Sequence, residues 1–356
     1  MKILHVVESF GGGSAVFISL LSKYLSNHEH IVLYGLRKDE QPFEVTKSKF
    51  PQSVKFVYWK SATRELSLIN DFLAFIELNK KIKNLNPDVV HLHSSKAGFI
   101  GRFSCYLLGR KCIYSTHSSS FLRQDISSFK RKFFVLLEKL ASIIPCEVIA
   151  CSRSEMNAFL SYSIKATYIN NGTEIQESED SLKQITSNKL KICTVGRITN
   201  QKNPELFNEI ANSYKQADFI WVGDGLLRSS LKSDNIQIIG WVSKEEVLQI
   251  VKDCDIYLST SLWEGLPLSV LEAMALSKPL VLNKCVGNVD LVKDNRNGLV
   301  FESKTEAINY LNKLDNDRSL IYKIGMESFL ICKSEFNIKD NTNAYERKYQ
   351  ELLSKN

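Results

Sequence analysis

The chain has 356 residues, 44% of them hydrophobic and 24% charged, with a formal net charge of +7. That length exceeds one ordinary core and predicts two domains of a globular α/β protein, while the composition excludes a disordered or fibrous chain. No apolar run reaches the roughly 18 residues of a membrane span, and the first strand lacks signal-peptide architecture, so a cytoplasmic location is expected.

The charge is unevenly divided. Residues 1–174 hold 23 Lys+Arg against 14 Asp+Glu, a net of +9, and the remainder holds 23 against 25, a net of −2. Between Lys96 and Lys139 there are nine basic residues and two acidic ones. Such a field attracts a polyanion or an anionic membrane surface. The eight cysteines are scattered with no Cys-x-x-Cys pair, which predicts buried thiols in a reducing compartment rather than a disulfide framework or zinc site.

In chain order, apolar runs at 3–7, 31–36, 54–58, 88–93, 112–116 and 147–151 read as strands. Helical periodicity occupies 15–26, 66–85, 96–108, 129–143 and 152–161. This alternation predicts a parallel sheet covered on both faces. Residues 175–189 are polar and acidic, as a connection would be. Strands then resume near 190–195, 218–222, 236–239, 255–259, 279–282 and 298–300. Two doubly wound domains, 1–174 and 190–339, follow, with ligands expected at the carboxyl ends of the strands.

The first strand runs into Glu8-Ser-Phe-Gly-Gly-Gly-Ser14 and a helix. Gly12 and Gly13 there let backbone approach a ligand closely. The pattern is not Gly-x-Gly-x-x-Gly, and no acidic residue ends the second strand, which disfavours a nicotinamide cofactor. His91 and His93 alternate at a strand end and face one side; with no third ligand nearby in sequence, hydrogen-bonded histidines are expected rather than a metal site. His117, in Tyr114-Ser-Thr-His-Ser-Ser-Ser120, follows another strand, where a loop holds it over an interdomain cleft. The segment Phe129–Ala141 joins a basic cluster, Lys130, Arg131 and Lys132, to Phe133, Phe134, Leu137 and Leu140. That combination fits either an interfacial helix on anionic lipid or an internal helix with a solvated charged end.

In the second half a strand ends in Gly196-Arg197-Ile-Thr-Asn-Gln-Lys202-Asn203. Arg197 offers a fixed fork of donors and Lys202 a mobile point charge, a combination suited to clamping a diphosphate. Trp221-Val-Gly223-Asp-Gly225 and Gly240-Trp-Val242 open loops whose backbone can read a base. In Leu262-Trp-Glu-Gly-Leu-Pro-Leu-Ser-Val-Leu-Glu-Ala-Met-Ala275, two carboxylates, Glu264 and Glu272, flank a helix expected to start at Pro267. The N–H groups of Leu268, Ser269 and Val270 then point out of the helix start, where an anion is favoured.

Taken in this order and spacing, these motifs resemble the retaining glycosyltransferases of family 4, and Val90-His-Leu-His-Ser-Ser-Lys-Ala-Gly98 resembles the subset that builds bacterial capsule, O-antigen and other surface polysaccharides. The resemblance covers nearly the whole chain and implies the GT-B fold. That fold has two Rossmann-like domains facing a central cleft, and a last helix near 344–353 (within 340–356) crossing back to the first domain. It departs at Ser277-Lys-Pro279, where Gly-x-Pro is common, and at Glu174, where Asp is usual.

What the resemblance implies for single residues is as follows. Arg197 and Lys202 hold the diphosphate of a nucleoside-diphosphate sugar, commonly UDP-linked, aided by the amides of Leu268 and Ser269. Glu272 accepts from the ribose, while Gly223 and Val242 border the nucleotide. Glu264 holds hydroxyls of the transferred sugar, His117 meets that sugar, and Gly12 and Gly13 let donor and acceptor approach. The Asp-x-Asp matches, Asp253-Cys-Asp255 and Asp315-Asn-Asp317, are badly placed for a metal. A metal-free, cofactor-free reaction is therefore expected, with Arg197, Lys202 and the helix N-terminus neutralising the leaving group. The acceptor implied is a lipid-linked sugar, polyprenyl-diphosphate-linked, or an oligosaccharide. Lys96, Arg102, Lys130, Arg131 and Lys132 are then candidates for docking the enzyme peripherally on the inner face of the cytoplasmic membrane. A non-hydrolysing nucleotide-sugar epimerase of related fold is the competing enzyme class. Nucleic-acid binding is disfavoured because aromatics do not interleave with the basic residues along a groove.

Overall fold

The computed structural model describes residues 1–36, 42–63, 67–175, 189–293 and 296–354. They divide into two compact units. One comprises Met1–Leu122, Ile126–Asn171 and Lys339–Asn356, the other Arg123–Asp125 and Gly172–Ile338. Of the connection expected at 175–189, residues 176–188 lie outside the described residues.

In the first unit β1 (Lys2–Val7), β2 (Glu29–Tyr34), β3 (Lys55–Tyr58), β4 (Val89–His93), β5 (Cys112–Ser115), β6 (Glu147–Ala150) and β7 (Thr167–Tyr168) form one parallel sheet. Its order is β3-β2-β1-β4-β5-β6-β7, so the direction of winding reverses between β1 and β4. The helices between the strands are α1 (Gly12–Tyr24), α2 (Phe43–Lys47), α3 (Leu68–Leu85), α4 (Ser95–Leu107), α5 (Ser128–Ala141) and α6 (Arg153–Ser161). β1 is apolar after Lys2 except at His5, because both of its faces are covered. Leu4 and Val6 enter one core with Leu78, Ile82 and Tyr114; Ile3 and Val7 enter a second with Phe17, Ile18 and Val32.

The second unit repeats the plan with β8 (Lys191–Val195), α7 (Pro204–Ser213), β9 (Asp218–Val222), β10 (Ile236–Gly240), α8 (Lys244–Asp253), β11 (Ile256–Ser259), α9 (Leu268–Ala275), β12 (Leu280–Asn283) and β13 (Gly298–Phe301), followed by α10 (Lys304–Asn316) and α11 (Ser319–Glu335). Its sheet runs β10-β9-β8-β11-β12-β13, all parallel, and reverses between β8 and β11. Serines open many of the helices: Ser243 caps α8, with Glu246 closing the reciprocal capping box.

The last helix, α12 (Ile338–Ser354), is longer than its expected 344–353. Tyr345 and Tyr349, one turn apart, are fully buried in the first unit's second core beside Phe17. The short β7 and α2 were not expected from sequence, since two and five residues give periodicity too little to act on.

Two basic residues expected at a membrane surface are not there. Arg102 is buried on α4, 2.6 Å from Glu138 of α5, with its Nε–H donating to Gly98 O and its guanidinium over the Tyr114 ring. Lys96 lies 2.6 Å from Asp71 of α3 and donates to Thr63 O, leaving its side chain 10% exposed. Both cations are committed to holding helices together.

Candidate donor site and catalytic residues

In a doubly wound sheet the crevice lies where the winding reverses, at the carboxyl ends of the two strands that part there. In the second unit those strands are β8 and β11. Arg197 and Lys202 follow β8, and Glu264 follows β11. Lys202 Nζ sits 2.8 Å from Glu264 Oε1, and Gln201 Nε2 donates to Glu264 Oε2 at 3.3 Å and to Trp263 O at 3.0 Å. Burial alone pushes the Lys202 ammonium down, but the Glu264 carboxylate, with Tyr257 behind it, more than offsets that and holds its pKa above the usual lysine value. Arg197 is half-buried directly after the strand.

The floor of this site is backbone. Gly223, after β9, has φ +135°, and a Cβ there would stand 2.2 Å from Gly196 O. Only glycine lets the turns after β8 and β9 touch. The Trp221 indole N–H, donating to the same Gly196 O at 2.8 Å, fixes the turn from below.

α9 begins at Leu268, one residue later than expected. Pro267 is the cap, with φ −71° and ψ 118°, and its carbonyl accepts from the N–H groups of Val270 and Leu271. Val270 N–H is thus spent inside the helix. Leu268 and Ser269 occupy the first turn, where helical geometry offers no acceptor one turn back. Tyr257 O–H donates to Ser269 Oγ at 2.9 Å and orients that turn. Glu272 lies one turn further on, 3.2 Å from Lys244 at the start of α8, which brings it to the loop carrying Val242. Gln201, Tyr257 and Lys244 were not singled out from sequence. Gln201 had a signal, being adjacent to Lys202 in the same loop, whereas Lys244 looked like an ordinary first-turn residue.

Neither Asp-x-Asp pair lies at these strand ends. Asp255 precedes β11 and accepts from Lys191 N–H at the opposite edge of the sheet, and Asp315 pairs with Arg318.

In the first unit the winding reverses between β1 and β4. Gly12 and Gly13 follow β1 in the open, with nothing within 4 Å of a Cβ at either, and Gly12 has φ +58°. After β5, His117 and Ser118 hold φ of +49° and +72°, and after β4 Ser94 holds +68°. Three left-handed non-glycine residues in two adjacent turns mark stored strain of the kind found at functional sites. The buried Glu155 carboxylate braces this loop, accepting from the N–H groups of Ser119 and Cys151 at 2.9 Å each. Ser94 Oγ and Ser118 Oγ are buried without a protein partner among the described residues.

Lys130 and Lys132 are exposed on α5 and Arg131 is half-buried. Between them the helix also exposes an apolar stripe at 4-3-4 spacing: Phe129, Phe133, Leu136 and Leu140.

Two doubly wound parallel sheets, each reversing its winding once, with a cationic crevice at the reversal of the second, give the chain the architecture of the GT-B class. The chain belongs to glycosyltransferase family 4: its residues 11–177 match the model described as Glycosyltransferase Family 4, and 176–325 match Glycosyl transferases group 1. It is 30% identical over 303 residues, 75% of the chain and 76% of the relative, to an Escherichia coli UDP-Gal:alpha-D-GlcNAc-diphosphoundecaprenol alpha-1,3-galactosyltransferase. It is 29% identical over 284 residues to the E. coli O-antigen biosynthesis glycosyltransferase WbnH, covering 77% of the chain and 80% of that protein. In fold it is similar to Anabaena HepE, solved with UDP and glucose, with a TM-score of 0.79, 19% identity, and coverage of 98% and 99% of the two chains. No helix among the described residues is long and apolar enough to cross a membrane.

Proposed function

We propose that the protein transfers a hexose or N-acetylhexosamine, with retention and without a metal, from a UDP-sugar to a hydroxyl of a polyprenyl-diphosphate-linked sugar in bacterial surface-polysaccharide synthesis. The observation that carries this reading is the paired placement of Lys202 and Arg197 after β8 with the first turn of α9 after β11. Cleavage of the anomeric C–O bond leaves negative charge on the diphosphate. Arg197, Lys202 and the Leu268 and Ser269 amides receive it, and preorganised donors of this kind supply much of an enzyme's rate enhancement. The acceptor hydroxyl forms the new C–O bond on the same face and gives its proton to the departing phosphate oxygen. Glu272 holds the ribose, Gly223 and Val242 border the nucleotide, and Glu264 and His117 hold the transferred sugar. The galactosyltransferase relative, named for UDP-galactose and a GlcNAc-diphosphoundecaprenol acceptor, supplies the first pair to try.

The apolar stripe of α5 with Lys130 and Lys132 beside it supports docking on anionic lipid, and α3, which packs on the same α4 as α5 does, also exposes Leu68, Ile69, Phe72 and Ile76. Such a face combines buried apolar area with attraction to acidic headgroups. The test is transfer from UDP-galactose to the lipid-linked acceptor in chelator, with a donor-only arm to detect epimerisation and a vesicle-binding arm for Phe129→Glu/Phe133→Glu. Product formed in chelator supports the reading. Activity that requires added magnesium or manganese overturns the metal-free part, and unchanged vesicle binding by the double variant overturns the membrane part.

A further inference from the structure

The hydroxyl of Tyr257, on β11, joins two other elements of the second unit. It accepts from the N–H of Val195, at the end of β8, at 3.2 Å. It also lies 2.9 Å from Ser269 Oγ in the first turn of α9 and 3.4 Å from Val195 O.

A phenol has one hydrogen to give, and the distances decide where it goes. O–H···O bonds fall at about 2.5–3.0 Å, so the 2.9 Å contact with Ser269 takes the hydrogen and the 3.4 Å contact with Val195 O does not. Burial raises the pKa of Tyr257 in spite of the Lys202 ammonium nearby, so the phenol keeps that hydrogen near neutral pH.

Ser269 Oγ therefore accepts from inside the fold, and its own O–H is left to donate. Among the described residues the Ser269 side chain makes no other hydrogen bond, and it is half-buried rather than enclosed. Side chains on an α-helix lean toward its N-terminus. Ser269 is the second residue of α9, so its hydroxyl leans over the turn that presents the Leu268 and Ser269 amides.

We propose that the Ser269 hydroxyl donates to the diphosphate of the nucleotide sugar, beside the two amides of its own turn, and that Tyr257 is a positioning residue that holds the hydroxyl in the donating sense. The inference rests on the reading that the diphosphate sits at the first turn of α9. A serine hydroxyl with no phenol behind it rotates freely and can turn its lone pairs toward the anion. With the phenol in place, hydrogen bonds run in one direction from Val195 N–H through Tyr257 O–H and Ser269 O–H to a phosphate oxygen. Each bond polarises the next, and the last is of the strong kind because its acceptor is ionised. It strengthens further as the anomeric C–O bond breaks and the diphosphate gains charge, so it serves turnover as well as binding. The same line ties the end of β8, which leads into Arg197, to the start of α9.

The test is a double-mutant cycle in the full-length protein. Ser269→Ala, Tyr257→Phe and the pair are each titrated with UDP and with uridine, alongside Ser269→Thr, which keeps the hydroxyl. Ser269→Ala and Tyr257→Phe should each weaken UDP about tenfold, as loss of one hydrogen bond to a charged group does, and leave uridine within about twofold. The double variant should lose no more than Ser269→Ala alone, because the phenol acts only through the serine. Ser269→Thr should bind UDP within about threefold of the wild type, since the donor is retained. A merely structural lesion has no reason to spare uridine or to saturate in the double variant. UDP binding by Ser269→Ala within about twofold of the wild type overturns the inference. Losses that multiply to about a hundredfold in the double variant overturn the positioning role. Should Tyr257→Phe not fold, the other two single variants decide: a threonine variant as weak as the alanine one overturns the hydroxyl's role. Lys202→Ala separates the inference from its premise. If Lys202→Ala binds UDP normally, the diphosphate lies elsewhere and the reading of the site fails; if it weakens UDP while Ser269→Ala does not, only the role of the hydroxyl fails.

Discussion

Lys202 Nζ lies 2.8 Å from Glu264 Oε1, so the loop after β8 and the loop after β11 are joined by one ion pair at the point where the sheet reverses. The pair sets the charge state of the site. Replacing Glu264 by Gln removes the carboxylate that holds the Lys202 pKa up, and burial then pushes it down. UDP binding by Glu264→Gln should therefore weaken as pH rises, with an alkaline limb below the usual lysine value, whereas the wild type stays flat over that range. Calorimetric titration of UDP between about pH 7 and 10 checks this; a flat profile in the variant removes Lys202 as the diphosphate's partner.

Arg197 is assigned to the charge that develops during transfer. Arg197→Ala should lower kcat roughly a hundredfold while leaving the Tm of the unliganded protein within a few degrees. A turnover within about twofold of wild type would show that the role is wrong.

Glu272 and Lys244 make a 3.2 Å pair whose members are 17% and 35% exposed. A pair that open contributes under about 1 kcal/mol, so Lys244→Ala should leave the unfolding midpoint nearly unchanged. Glu272→Ala should instead weaken UDP about tenfold, the loss of one charged hydrogen bond to ribose. Equal effects on UDP from both substitutions would mean that Glu272 acts only through Lys244.

Arg102 and Glu138 form a buried pair, and removing one partner strands the other. Arg102→Leu should destabilise the first unit by about 3–5 kcal/mol, and adding Glu138→Leu should restore most of it. Thermal unfolding of the single and double variants checks the order. A single variant as stable as the double would show that Glu138 finds another partner.

Acid should separate the two units. His5, His30, His93 and His117 have folded pKa values below 6.5, with burial the largest cause, and the second unit contains no histidine. Depressed values mean that the unfolded chain binds more protons. This stabilisation is complete above about pH 6.5 and is lost as pH falls toward the folded values, about 4 for His117. Tryptophan fluorescence from Trp59 in the first unit and Trp221 in the second distinguishes the transitions. Coincident unfolding of both would contradict the assignment.

Much of the architecture was legible because buried parallel strands are mostly apolar: Ile3–Val7 is broken only by His5, and Leu190–Val195 only by Lys191 and Thr194. Glu264, Glu272, Arg197 and Lys202 were legible as motifs because each sits beside a turn with glycine or proline. Partnerships across long sequence gaps were not. A count of charges places Arg102 among nine basic residues, yet its partner Glu138 is 36 positions away on another helix. On α5, Phe133 and Leu140 share the exposed stripe, while Phe134 packs inward against the core; a basic-and-apolar segment alone does not say which face is which. Ser277 shows the reverse case. The position takes φ +58°, which explains why glycine suits it, and Lys278 beside it donates to Lys252 O and Cys254 O at the end of α8. The buried histidines were half visible, since His91 and His93 alternate, but His5 and His117, which bond to His93, and His30, which bonds to His5, join them only through strand order.

The burial of Tyr345 and Tyr349 against Phe17 and His91 has a consequence for biosynthesis. The second core of the first unit stays open until α12 leaves the ribosome, after the whole of Gly172–Ile338 has been made. At about 5–20 residues per second that delay is on the order of ten to thirty seconds. Throughout it the nascent chain exposes an unfinished apolar seam around Phe17, and a chaperone bound there would be released by arrival of the two tyrosines.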